Sequence, residues 1–197
     1  VFMVPGIVMM SIIQNAFANT SSSILTSKIQ GNIVDTLMPP LSAGEILAGY
    51  VLGGIVRGLF IAIGLWLGCT FVLGVVVVHP VLAVAFTIAG AGFLASLGLL
   101  AGIYAQKYDQ LSAITNFIIT PLAFLSGSFY SITALPEVLQ KMALFNPIFY
   151  LIDGLRFSVL GVSDTPALPG LMISLICFFV TSFAAWWMLL RGYRLKP

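Results

Sequence analysis

LSGSFYSITALPEVLQKMALFNPIFYLIDGLRFSVLG, residues 125–161, is the stretch on which the fold turns. It is too apolar for an ordinary loop and too interrupted for a membrane span. Pro136 and the Asn146-Pro147 pair cut it into pieces of about ten and fourteen residues. Both fall short of the roughly 20 apolar residues that cross a ~30 Å hydrocarbon core. Backbone at membrane depth must hydrogen-bond to itself, so the segment is expected to form two short helices dipping into the membrane edge. Pro136 suits a first helical position, Val138, Leu139, Met142 and Phe145 then share one face, and Asn146-Pro147 stops the helix. The second helix runs from Ile148 to Leu160 and ends at Gly161. On it Asp153 and Arg156 stand three residues apart, a spacing that lets them pair and lowers the cost of either near lipid. Direct contact of one of them with a substrate is the alternative.

Composition sets the class of the rest. With 60% hydrophobic and 7% charged residues and a mean hydropathy of +1.12, 197 residues cannot cover themselves with a water-compatible surface. The chain reads as an integral membrane protein, all-α, a polytopic helix bundle. Five visible transmembrane helices are expected, at Val1–Phe17, Gly58–Val78, Val81–Ile103, Leu111–Phe129 and Gly170–Leu190. Because the chain opens in apolar sequence without a Met or a basic leader, at least one further span is expected before Val1, and no signal peptide. A net charge of +2, with no basic run beyond the Arg191–Lys196 tail, argues against nucleic acid as a partner. That tail reads as an anchor to membrane lipid.

Alternating spans place Lys28, Arg57, Lys107, Arg191, Arg194 and Lys196 on one side and Lys141 and Arg156 on the other. By the positive-inside rule the first side is the cytoplasm, and the C-terminus lies there. The connection from Thr20 to Glu45 is then cytoplasmic. Within it Ile33, Val34, Leu37 and Met38 are spaced as the apolar face of a short helix that breaks at Pro39-Pro40. Such a helix either lies on the membrane surface or docks a cytoplasmic partner. Ser42 and Glu45 form an S-x-x-E capping box that starts the next helix, on which Arg57 is expected near the entry into lipid, its guanidinium reaching the headgroups. Pro121 interrupts the fourth span, either as a gating kink or to shape the helix around a neighbour. Glycine pairs four apart, Gly49/Gly53, Gly54/Gly58, Gly64/Gly68 and Gly98/Gly102, suit close helix packing within the chain.

Other chemistry finds no support. There is no G-x-x-x-x-G-K-[ST] phosphate loop, so ATP is not bound by that route. His79 sits before Pro80 in a turn, and Cys69 and Cys177 lie in different spans, so no metal or disulfide spacing results. Ser126-Gly127-Ser128 has no histidine relay around it. No catalytic residues and no cofactor are expected in this chain.

Three stretches carry a resemblance to a known family: VPGIVMMSIIQNAF at 4–17, KIQGNIVDTLMPPLSAGEILAGY at 28–50, and FIITPLAFLSG with the segment that follows it to Gly161. With the final span and its basic tail, their order resembles the ABC-2 type permeases, the membrane subunits of ATP-driven exporters. The likeness is to the bacterial inner-membrane branch with Nod-factor, polysaccharide and drug export permeases. The resemblance implies that 1–197 is a single ABC-2 type transmembrane domain of six spans, lacking here the N-terminal amphipathic helix and the first span. It implies a coupling helix, which maps to Gly31, Asn32, Ile33, Val34, Asp35, Leu37 and Met38, and paired outer helices, which map to Pro136, Asn146, Pro147, Asp153, Arg156 and Gly161, with Ser126, Gly127 and Pro121 before them. It further implies an ABC ATP-binding subunit that carries ATP and Mg, a second permease subunit in a homodimer, and an amphipathic, drug-like or polysaccharide/lipid-linked cargo exported across the inner membrane. The readings from other classes are an ATPase-independent secondary transporter or channel and a non-transporting membrane scaffold. The former commonly carries paired ionisable residues inside spans, or similar halves, and neither is visible in the chain.

Overall fold

The computed structural model describes residues 2–33, 40–74, 76–129, 131–132 and 136–193, and among them there are helices and no strands. Helix α1 spans Met3–Ile29, α2 Ala43–Leu73 and α3 Pro80–Tyr104. A continuous helical rod follows, made of α4 (Tyr108–Ile114), a π-turn (Thr115–Ile119) and α5 (Thr120–Phe124). Two short helices, α6 (Glu137–Leu144) and α7 (Pro147–Leu160), precede the final α8 (Ala167–Leu190).

Helices α2, α3 and α8 are long and apolar enough to cross a membrane. Their outward faces are the apolar ones: Phe60, Ile63, Leu67 and Phe71 on α2 and Met172, Ile176, Phe179 and Phe183 on α8 are exposed. Surfaces of this kind are stable against acyl chains and not against water. Helix α1 has the length of a span, 27 residues or about 40 Å, but it carries a stripe of Ser and Asn. It packs along α3, the central helix of the bundle, with α2, α7 and α8 around the pair. The interior is built from Met9, Ile12, Ile13 and Phe17 of α1, Phe86 and Leu94 of α3, and Leu151, Ile152 and Leu155 of α7.

Close approach of α1 and α3 depends on two glycines of the sequence pairs. A Cβ on Gly98 would stand 2.5 Å from the Phe17 carbonyl oxygen, and one on Gly102 2.7 Å from that of Ser21. Gly54 and Gly58 serve the α2 contact in the same way, against Ala95 and Ala91. Gly49, Gly53, Gly64 and Gly68 instead face open space.

Several boundaries differ from the sequence expectation. Helix α1 continues through the polar run to Ile29 instead of stopping at Phe17, so Thr20–Ser27 is helix and not loop. Thr20, Ser21, Ser23 and Ser27 bond back to carbonyls four residues earlier, which satisfies their hydroxyls without leaving the helix. Thr20, Ser21, Ile24 and Leu25 meanwhile continue the buried face. The fourth segment ends at Phe124, five residues before the expected Phe129. Pro121 has no N–H to offer the ladder, and the π-turn lies directly before it, with Thr120 Oγ1 donating to the Thr115 carbonyl at 3.0 Å. The expected capping box is present: Ser42 N donates to Glu45 Oε2 at 2.7 Å and Glu45 N to Ser42 Oγ at 3.3 Å.

The stretch at 125–161 forms the two short helices read from it. Pro136 precedes α6 as its N-cap, and Gly161 ends α7 at φ 73°, a left-handed conformation that glycine adopts without strain. The axes of α6 and α7 turn through 89° between Leu144 and Pro147. Helix α7 is mostly buried and is seated in one end of the bundle, whereas α6 buries only Ala143.

Candidate transport pathway and docking end

Both ends of the bundle, and a polar strip between them, hold the polar chemistry. At the hairpin end, where α6 and α7 sit, Asn146 caps α7 by accepting from Ile148 N at 3.1 Å. Its Nδ2 donates to the Leu122 carbonyl at 2.7 Å and to Ser126 Oγ at 2.8 Å. One buried amide thus ties the start of α7 to the end of α5, beside Pro121 and Pro147.

About two turns along α7, Asp153 and Arg156 do pair, at 3.6 Å, and each is 1% exposed. The pair is part of a larger knot that the spacing alone did not reveal. Asp153 also accepts from Asp164 N at 2.9 Å and from Thr165 N and Oγ1 at 2.8 and 2.7 Å. Asp164 stands 3.8 Å from Arg156 and accepts from Ser131 Oγ at 2.6 Å and Ile132 N at 3.1 Å. Arg156 donates in turn to the Gly127 carbonyl and lies 4.2 Å above the Phe2 ring. Five parts of the chain meet there: α1, the turn after α5, the approach to α6, α7 and the turn before α8. No local pattern marks Asp164 in the sequence, because its partners Arg156 and Ser131 come from other parts of the chain.

At the opposite, basic end, Lys28 Nζ donates to the carbonyls of Gly102, Ile103 and Ala105 at 3.2, 2.7 and 2.6 Å. These are the orphan acceptors at the C-terminus of α3, where a cation is favoured by the helix dipole. Thr26 Oγ1 shares a hydrogen bond of 2.8 Å with Tyr108 at the start of α4. The last turn of α1 is therefore pinned to the α3–α4 junction just before the chain leaves it. Gly31 follows at φ 77° and Asn32 donates to Gln30. Ile33 corrects an expectation: it is 3% exposed and packs with Ile24, Leu99, Ile103, Ala185 and Leu189, so it anchors the segment to the bundle and is not on an outward docking face. Val34, Asp35, Leu37 and Met38 lie outside the described residues.

Between the ends, Ser11, Asn15, Asn19 and Ser22 recur at helical spacing along a partly exposed side of α1. A cleft of about 190 Å³ beside it is lined by Ala18, Ser21, Ser22, Ser112, Thr115 and Asn116, joining α1 to α4 and the π-turn. Arg57 opens onto the same helix: its Nη1 donates to Asn19 Oδ1 at 2.9 Å. Its neighbour Gly58 packs on Ala91, near the middle of α3. Arg57 thus stands near the middle of α2, because that helix begins as early as Ala43. These residues are scattered singly through apolar runs, and their spacing of three to four is the signal the sequence carries for the strip.

Among the described residues no group of three or more His, Cys, Asp or Glu could hold a metal. The site is one of helix surfaces, hinges and buried ion pairs.

The family model described as ABC-2 type transporter matches residues 1–160. The chain is 40% identical over 194 residues to the inner membrane transport permease YadH of Escherichia coli K12, covering 98% of this chain and 75% of that one. It is 31% identical over 157 residues to nodulation protein J of Rhizobium leguminosarum bv. viciae, covering 80% of this chain and 55% of the relative.

Proposed function

The chain belongs to the ABC-2 type transporter family, and on that premise we propose that it is the membrane-spanning permease subunit of an inner-membrane exporter driven by a separate ATPase. ATP and Mg belong to that partner subunit in this reading, and the chain is not an enzyme by itself. A second permease subunit, in a homodimer, completes the pathway. The observation that carries the reading is the polar strip along the partly exposed side of α1, continued across the cleft by Ser112, Thr115 and Asn116, in a bundle whose other outward faces are apolar. The Ser11, Ser22 and Thr115 hydroxyls and the Asn15 amide of the strip bond back to their own helices, which lets it stand in an apolar surrounding while its oxygens still accept from water or a polar cargo.

Energy enters at the basic end. The segment Gly31–Met38 leaves α1 immediately after Lys28, so a partner that pushes on it pushes on α1 and, through the Lys28 clamp and the Thr26–Tyr108 bond, on α3 and α4. Closure of a paired ATPase on ATP then favours one arrangement of the α1 and α4–α5 surfaces and hydrolysis restores the other. The π-turn before Pro121 is the place where the α4–α5 rod bends in that exchange. Cargo with both an apolar and a polar part, drug-like or polysaccharide/lipid-linked, suits the strip and its apolar borders.

Co-purification tests the docking. Beyond the buried Ile33 the apolar residues of this segment are Val34, Leu37 and Met38, and Leu37→Asp with Met38→Asp should abolish recovery of the ATPase while membrane insertion stays intact. Ile33→Asp, by contrast, should lower folded yield. Unchanged ATPase binding in the Leu37/Met38 double variant would move the docking site elsewhere.

A further inference from the structure

We propose that Asn146 is a joint that carries movement of the α4–α5 rod into the α6–α7 hairpin, so that the hairpin end follows the bending of the rod at its π-turn. The use of such a joint in transport rests on the permease reading; the joint itself rests on bonds within the chain. Its side chain meets two helix ends at once. Oδ1 accepts from Ile148 N at 3.1 Å and caps the start of α7. Nδ2 donates at 2.7 Å to the Leu122 carbonyl, one of the acceptors that the last turn of α5 leaves without a helical partner. Nδ2 also stands 2.8 Å from Ser126 Oγ, and the residue is 5% exposed. Separating the two helix ends would leave buried polar groups unsatisfied, so the amide holds them at a fixed distance.

The rod is built as a lever fastened at both ends. At the basic end Tyr108 shares its 2.8 Å bond with Thr26 of α1, at the hairpin end Asn146 holds Leu122, and the π-turn Thr115–Ile119 stands between them. Pro121 follows that turn and has no N–H for the carbonyl of Phe117 four residues earlier, which makes the ladder weakest there. Beyond Phe124 the chain swings away through Gly127 at φ 71°, so the bond from Arg156 to the Gly127 carbonyl fixes the turn after the rod. Asn146 reaches the rod itself. On the far side of the joint the Tyr150 hydroxyl, in the first turn of α7, donates at 2.9 Å to the Leu144 carbonyl at the end of α6. A shift of α5 is thereby passed to the start of α7 and from there to α6.

The test is amide hydrogen exchange on the full chain in phosphatidylcholine nanodiscs, read at residues 122–126 and 148–154. Serine caps a helix as well as asparagine does and is too short to reach Leu122, so Asn146→Ser keeps the cap and breaks the joint. It should speed exchange at 122–126 by about tenfold or more and leave 148–154 within about twofold of the wild type. Pro121→Ala returns an N–H to the ladder and should slow exchange at both segments by about threefold or more, but at 122–126 only when Asn146→Ser is also present. Unchanged exchange at 122–126 in Asn146→Ser overturns the proposal. So does an effect of Pro121→Ala on 148–154 that is absent from the parent chain or equal in the two backgrounds. Should Asn146→Ser fail to fold, spin-label pairs decide on the chain with Cys69 and Cys177 replaced by Ala. The distance between labels at positions 122 and 144, across the joint, should then be more narrowly distributed than that between 112 and 122, across the π-turn, and the reverse order overturns the joint. None of these measurements needs the ATPase, so loss of ATPase docking would count against the permease reading alone.

Discussion

Arg156 is the residue on which the hairpin end depends. Its replacement by Ala leaves Asp153 and Asp164 facing each other without a cation, one of them 1% and the other 16% exposed. Breaking a buried pair from one side costs about 3–5 kcal/mol. Asp153→Ala is also harmful, because the backbone N–H groups of Asp164 and Thr165 lose their acceptor. The two losses should overlap: Asp153→Ala with Arg156→Ala is expected to cost less than the sum of the singles by about 1 kcal/mol or more, measured by thermal unfolding in detergent. Strict additivity would show the charges acting independently and would favour direct substrate contact by one of them. Lys28 makes a different prediction. Lys28→Met removes a cation from three terminal carbonyls, a change of about 1–2 kcal/mol, and should speed amide exchange in the last turn of α3. Lys28→Arg should restore part of the protection, and unchanged exchange in Lys28→Met would remove the clamp from the coupling route.

At the scale of elements, the seat of α7 on α3 is set by one missing side chain. A Cβ on Gly154 would lie 2.2 Å from the Phe86 ring. Gly154→Ala is therefore expected to lift α7 from α3 and lower stability by about 1–3 kcal/mol, and Phe86→Leu in the same chain should recover part of the loss. Gly68→Ala is the control: nothing lies within 4 Å of the added carbon, so the monomer should be unaffected or stabilised by up to about 1 kcal/mol. Thermal melts of the four proteins check the set. If Gly154→Ala melted with the wild type, the helix pair would have to be held by the ionic knot alone. The short helices themselves were legible in sequence because Pro136, Asn146-Pro147 and Gly161 act locally, on the residues beside them. The end of α1 was not, because Ser and Asn in a helix interior read as loop until their hydroxyls are seen returning to the helix.

For the molecule as a whole, the two ends must lie on opposite sides of the membrane. Positive-inside counting puts Lys28, Lys107 and Arg191 in the cytoplasm. In a chain with Cys69 and Cys177 replaced by Ala, a cysteine at Val162 should react with an impermeant thiol reagent from outside intact cells, and one at Gln30 only after permeabilisation. Val162 is chosen because it is 61% exposed, whereas Asp164, equally distal in sequence, is committed to Ser131, Ile132 and Arg156. Labelling of Gln30 from outside would reverse the orientation and place the Lys28 clamp away from any cytoplasmic ATPase.

Composition and local chemistry were sufficient for the membrane class, the helical fold, the hairpin of short helices and the capped start of α2. Each depends on hydropathy or on turn and cap residues acting within a few positions. Family likeness was legible too, since motif order survives in the linear chain. Tertiary structure alone brought Asp164 to Arg156, Lys28 to the end of α3, and Arg57 to Asn19. It also turned Ile33 inward. These pairings join residues eight to more than seventy positions apart, and no helical period encodes them. They are decided by which helices touch, and that depends on how closely Gly98 and Gly102 let α3 approach α1.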